Sequence, residues 1–273
     1  VTASSGNINL ANAAVAASQT LTANAKQTLR TDSANVSANQ INANAHDVSN
    51  VQGQLVQTGS GEMLLNLPGN LDNTEGRIAG NSANINISAN TLTNTAGTLE
   101  HAGTGILGLN ANTFNGTRGT IASNGALNLT ATNATLDTAT TTASQVTINT
   151  STLSHQGGNL IQTGRGPATI TTSNQLDNTD GTIASGGNTT LTVGALKNQR
   201  GAIQAVGVMP SQLTVAATGR VDNSNAGAIM ANGNITVTAA SVHNSQGQIT
   251  ASQALSTSTT QTTDNTRGVI AAH

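Results

Sequence analysis

The side chains able to act as acids, bases or metal ligands are few in this sequence, and their spacing is the first thing to test. The histidines are His46, His101, His155, His243 and His273, and the densest group of opposite charges is Asp177, Asp180, Lys197 and Arg200. Acid–base, nucleophilic or metal-assisted chemistry needs such groups to converge on one site. The histidines instead fall at different phases of a repeat, so stacking the repeats gathers them into neither a metal site nor a Ser-His-Asp arrangement. Each reads as a solitary surface or turn histidine, although His155 stands in the phase where other repeats carry Asn. Asp177 and Asp180 occupy the phases that Lys197 and Arg200 occupy one repeat later, so stacking sets acid beside base. That pattern fits control of register better than a catalytic dyad. Neither a phosphate-binding Gly-rich loop nor the Gly-Gly-x-Gly-x-Asp calcium repeat is present. The expectation is therefore no catalytic residue, no cofactor and no metal, which also argues against a polysaccharide-degrading enzyme.

Composition supports a scaffold. Only 7% of residues are charged, the formal net charge is -2, and there is one Phe and no Trp, Tyr or Cys. A nearly neutral surface solvated by Thr, Ser, Asn and Gln leaves no electrostatic footprint for nucleic acid or an anionic membrane. No apolar run reaches the roughly 18 residues of a membrane-spanning helix, so the chain is not expected to be membrane-embedded. The first residues, VTASSGNINL, lack a signal peptide's basic flank and apolar stretch, so the chain reads as an internal stretch of something longer. Disorder is the other reading of so little charge, but the regular spacing of Ile, Leu and Val opposes it.

That spacing defines the elements. An apolar residue, Asn two positions on, Gly three further and a second apolar residue recur as Leu71/Asn73/Gly76/Ile78, Leu92/Asn94/Gly97/Leu99, Leu176/Asn178/Gly181/Ile183, Leu196/Asn198/Gly201/Ile203 and Val242/Asn244/Gly247/Ile249. The period is about 21–22 residues, within the range of solenoid repeats. A longer duplication relates residues 38–80 to 143–185, pairing LVQTGSG with LIQTGRG and LDNTEGRIA with LDNTDGTIA. It also exposes a degenerate repeat without its Gly near Thr138 to Thr142. Alternating pairs such as Ile85/Ile87, Leu127/Leu129, Leu191/Val193, Leu213/Val215 and Ile235/Val237 read as strands. A unit this small buries its apolar side chains only by stacking on its neighbours. The expected fold is an all-β, right-handed parallel β-helix forming one domain over 1–273, a rod on the order of 60 Å long at about 4.8 Å per rung.

Within each rung the anchor Gly is expected at a positive-φ or sterically tight corner, and the Asn either tolerates left-handed geometry or bonds to its counterpart one rung away. Aliphatic inward residues suit a core two sheets thick, with Phe114 its bulky filling. Pro68 and Pro167 mark corners where Pro spares a sheet hydrogen bond. The long repeat between Gly201 and Gly227 contains Val206, Gly207, Val208, Met209, Pro210 and Ser211, a candidate binding loop, although folding back as a local cover is the favoured reading. Outward threonines in Thr169-Ile170-Thr171, Thr190-Leu191-Thr192 and Thr236-Val237-Thr238 raise the idea of an ice-binding face. Mixed Thr, Asn, Ser and Ala at outward positions favour an ordinary solvated surface.

The tracts LDNTEGRIA, LTNTAGTLE, LDNTDGTIA, LKNQRGAIQ and VHNSQGQIT, followed by alternating runs such as GALNLTA and GNITVTA, resemble the repeats of filamentous haemagglutinin adhesins and of contact-dependent growth inhibition effectors. The resemblance covers about residues 40 to 273 and implies export by two-partner secretion. Its expected partners are an outer-membrane transporter and a host or target-cell receptor or glycan, and the expected location is secreted or at the cell surface. The family's Asn-Pro-Asn-Gly secretion motif has no match here, and the repeat pattern runs on to Ile270, so secretion and effector domains are expected outside this stretch. The functional expectation is a structural rod projecting a distal adhesive or toxic region, the alternative being an adhesive face on the rod itself. Unpaired strand edges at the cut ends of such a stack are expected to favour end-to-end association.

Overall fold

The structure, a computed structural model, describes residues 1–273 and consists of short β-strands joined by turns, with no helix. Strands pair in parallel with the equivalent strand one coil away, the geometry of a right-handed parallel β-helix. The coils fall into two compact units, Val1–Thr135 and Leu136–His273.

A coil of the first unit shows how the sequence makes this shape. After the corner at Asn73–Gly76 the chain runs as a strand over Arg77–Gly80, turns, and continues as Ile85–Thr93 to the next corner at Asn94. Inward residues alternate with outward ones at the period of two that β structure imposes. Ile78 is paired with Leu55 on one side and Leu99 on the other, and Leu99 with Ile121. Ile85, Ile87 and Leu92 have their own columns, through Met63 and Leu107, Leu65 and Leu109, and Leu71 and Phe114. Three strand segments thus close each coil, rather than two facing sheets. Val, Leu and Ile side chains buried in this way contribute about 1.5–3 kcal/mol each. Phe114 is fully buried, and the next coil answers its bulk with the small Ala134 in the same column.

The second unit repeats the plan. Leu160, Ile183, Ile203, Ile229, Ile249 and Ile270 form one inward column. Leu153, Leu176, Leu196, Val221 and Val242 form another. Pro68 lies between the strands Met63–Asn66 and Asn70–Asp72, and Pro167 immediately precedes Ala168–Asp177, both outside ladders that need an N–H donor.

Candidate functional site

The repeated corner is the most elaborate polar arrangement in the molecule, and each letter of Leu71-Asp72-Asn73-Thr74-Glu75-Gly76 has a separate physical reason. Leu71 enters the core. Asp72 turns back, its Oδ1 accepting from the Thr74 amide at 2.9 Å and the Thr74 hydroxyl at 2.6 Å. The same side-chain turn recurs at Asp177 with Thr179, Asp222 with Ser224, Asp264 with Thr266 and Asn115 with Thr117. Asn73 points inward and is fully buried. Its Nδ2 donates to Asn94 Oδ1 at 2.7 Å, to the Gly76 carbonyl at 3.2 Å and to the Thr98 carbonyl at 3.2 Å.

The tight turn closes where the Gly76 N–H donates to the Asn73 carbonyl at 3.1 Å. Its left-handed residue is neither Asn nor Gly but the one immediately before the Gly: Glu75 has φ 55°, and Ala96, Asp180, Arg200 and Gln246 sit between 51° and 59° in the equivalent place. A positive φ at the third residue is the signature of a type II turn. The anchor Gly serves close approach instead, because a Cβ on Gly76 would overlap the Asn50 carbonyl oxygen of the preceding coil. Gly97, Gly201 and Gly247 meet the corner carbonyls of Asn73, Asn178 and Asn223 in the same way, and Gly181 meets that of His155. Of the two reasons expected for this Gly, steric approach is the operative one.

Stacked corners form amide ladders. In the first unit Thr31 Oγ1 donates to Asn50 Oδ1 at 2.8 Å, then Asn50 to Asn73 and Asn73 to Asn94 at 2.7 Å each. In the second, His155, Asn178, Asn198, Asn223, Asn244 and Asn265 form one chain with every link at 2.7 Å. Because Asn178 Oδ1 accepts, His155 carries its proton on Nδ1. His155 Nε2 is buried without a partner, and burial depresses the basicity of the ring. Ladder partners are 20 to 25 residues apart in sequence within the second unit's Asn series, so one device tolerates coils of different length.

A second polar column was not legible beforehand. Gln57 accepts from the Ile41 amide at 2.9 Å and donates to the Gly61 carbonyl and to Ser82 Oγ. His101 Nε2 donates to the Ser82 carbonyl at 3.0 Å while its Nδ1 accepts from the Ser123 hydroxyl at 3.1 Å. His101 and His155 are thus buried ladder members, which corrects the reading of both as surface or turn histidines. Gln162, the duplicate of Gln57, repeats its bonds to Val146 and Gly166. Recurrence of Gln in LVQTGSG and LIQTGRG was the available signal.

Charges sit on the outer rim. Arg200 holds Asp180 through two bonds of 2.6 and 2.7 Å, lowering the carboxyl's pKa and raising its own, and Lys197 reaches Asp177 at 3.4 Å. Arg77 pairs with Glu100 at 2.9 Å over a shallow groove of about 310 Å³. A second groove of about 460 Å³ opens beside Leu64, Ile106 and Gly108. No group of three or more His, Cys, Asp or Glu converges as a metal site would require. The loop at 206–211 does not fold back as a cover: Val206, Val208 and Met209 are 50%, 83% and 67% exposed, and Pro210 is exposed too. Its base is pinned by Asn232, whose Oδ1 accepts from the Ser211 amide at 2.8 Å and whose Nδ2 donates to the Gly207 carbonyl. With Pro210 limiting the turn, the apolar side chains have no core column to join.

The family model for the haemagglutinin repeat matches residues 36–108, 104–180, 163–209 and 212–272. The chain belongs to the haemagglutinin repeat family. It is also similar to the toxin CdiA of Yersinia pestis, 44% identical over 103 residues that make up 38% of this chain and 3% of that toxin. No solved structure matches it. The corner geometry gives this haemagglutinin repeat its physical content: an aliphatic residue, an Asx turn, a ladder amide, a left-handed tip and a Gly under the neighbouring carbonyl.

Proposed function

We propose that this chain is a structural rod segment of a secreted or surface-exposed bacterial filament, an adhesin or a toxin-delivery protein, holding a distal active region away from the cell that makes it. The observation that carries this reading is where the repeated residues direct their bonds. Asn73, Asn94, Asn178, Asn198 and Asn244 are fully buried and donate to the coils beside them, leaving none of these repeated amides free to meet a ligand. Membership of the haemagglutinin repeat family and similarity to a CdiA toxin support placement outside the Gram-negative outer membrane, reached through a partner transporter. The chain spans only 3% of that toxin, so delivery and toxicity belong to this proposal. The test is in the full-length parent. Replacing residues 1–273 with the same number of coils from another haemagglutinin repeat region is expected to preserve adhesion or delivery, whereas deleting them lowers it; loss of function on replacement would overturn the rod reading.

The exposed loop favours a second reading, an adhesive contact with a receptor or glycan on a host or target cell. Val206, Val208, Met209 and Pro210 would supply it. Deleting 206–211 from the isolated chain would then abolish its binding to such cells, and unchanged binding would rule the loop out.

A further inference from the structure

The outer face of one sheet in the second unit carries a lattice whose continuity only the strand register shows. Parallel pairing aligns Thr147 with Thr169, Thr169 with Thr190, Thr190 with Thr214, and Thr214 with Thr236. Two residues further along the same strands, Asn149, Thr171, Thr192, Ala216 and Thr238 make a parallel row. Both rows continue into serine, at Ser256 and Ser258. Between the rows Ile148, Ile170, Leu191, Val215 and Val237 are fully buried, so a packed core fixes the strands that present the threonines. Sheet geometry sets the lattice at about 4.8 Å between coils and about 6.6 Å between rows.

Along the stacking direction the first row is therefore threonine in five successive coils, while the second includes Asn149 and Ala216 among its threonines. Coil lengths vary, which scatters the threonines irregularly through the sequence while register brings them into line. Each threonine offers one methyl and one hydroxyl, and β-branching limits χ1 so that a row can present them in one orientation. The hydroxyls of Thr169, Thr190, Thr214 and Thr236 make no hydrogen bond within the protein. Neither row contains a charged residue.

We propose that this face binds ice. Its complement is an uncharged surface with donors and acceptors at regular spacing. A lattice of methyls holds water in ordered cages while the hydroxyls anchor it. A phosphate-bearing partner would call for cations, which the rows lack. The flat face of a crystalline polysaccharide would call for exposed aromatic rings, and the only aromatic residue, Phe114, is buried. In the first unit the corresponding row runs Leu64, Asn86, Gly108 and Asn128, uneven in size and chemistry. That face provides an internal control.

The experiment compares purified 1–273 with Thr190→Tyr, Thr214→Tyr and, on the first unit, Asn86→Tyr, using thermal hysteresis and uptake into a growing ice hemisphere. All three substitutions point outward, and circular dichroism checks that strand content is kept. Wild type and Asn86→Tyr are expected to show hysteresis and enter ice, and each threonine variant to fall to the level of an unrelated protein at equal concentration. Absence of both signals in wild type would overturn the proposal, as would full activity in the folded threonine variants. Pull-down by microcrystalline cellulose, lost in the same variants without ice uptake by wild type, would assign the face to polysaccharide instead.

Discussion

Asn73 and Gly76 show how little freedom the corner leaves to a residue. A methyl on Gly76 meets backbone rather than a movable side chain, so Gly76→Ala is expected to destabilise the first unit by about 2–3 kcal/mol, read from urea unfolding. The tip behaves in the opposite sense. Ala96 is exposed and held at φ 51°, where an L-residue costs about 1–2 kcal/mol. Glycine removes that cost at an entropic penalty of about 0.5–1 kcal/mol, so Ala96→Gly should raise stability by about 0.5–1 kcal/mol. The tip was misplaced in the sequence reading because Glu, Ala, Arg, Asp and Gln all occupy it, leaving no residue type to mark it.

His155 adds a pH dependence that can be derived. Burial lowers its folded pKa below the ordinary 6.5, so between the two values the unfolded chain binds more protons than the folded one. Its contribution to stability is complete above about pH 6.5 and declines as pH falls from there toward the folded pKa. His155→Asn supplies the ladder amide found at the other corners and removes the titration. Thermal melts of the variant and wild type should diverge as pH drops from 7 to 5, with the variant the more stable; parallel curves would contradict this account of the ring.

At the scale of the element, the ladder makes neighbouring corners depend on one another. Asn178→Ala leaves the His155 Nδ1–H without its acceptor and the Asn198 corner without its incoming donor, a cost of about 1–3 kcal/mol per buried orphan. Chemical denaturation should show that loss, while Ala at the exposed Asn90 should leave the midpoint unchanged. Much of this level was legible beforehand. The Asn-x-x-Gly period and alternating pairs such as Ile85/Ile87 located strands and corners, because stacking favours the same residue type at that position in successive coils. The Gln57, Ser82, His101 and Ser123 column was hidden because each coil solves that corner with a different side chain. The outward threonines were legible at Thr169, Thr190 and Thr236, but not their continuity: Thr190 and Thr214 align only when an inserted loop is discounted, and the sequence alone does not say where the insertion bulges.

For the whole molecule, nearest-neighbour bonding predicts behaviour that is local within each unit. Corner residues run Thr31, Asn50, Asn73, Asn94 and Gly116 in the first unit, and Leu136, His155, Asn178 and the asparagines onward to Asn265 in the second. The first unit's amide ladder therefore stops at Asn94, and the second unit's begins at His155. Stability in such arrays is approximately a sum of coil and interface contributions. Changes on the rim should act weakly, and changes on a ladder should weaken the coils that share it. The central claim is that the repeated asparagines are internal fasteners rather than a recognition surface. Hydrogen exchange at the side-chain amides tests it most directly, by NMR on labelled chain. The account predicts that the Nδ2 protons of Asn73, Asn178, Asn198, Asn223 and Asn244 exchange only on unfolding of their coils, far more slowly than those of exposed Asn90. Exchange of the ladder amides at the rate of Asn90 would contradict it.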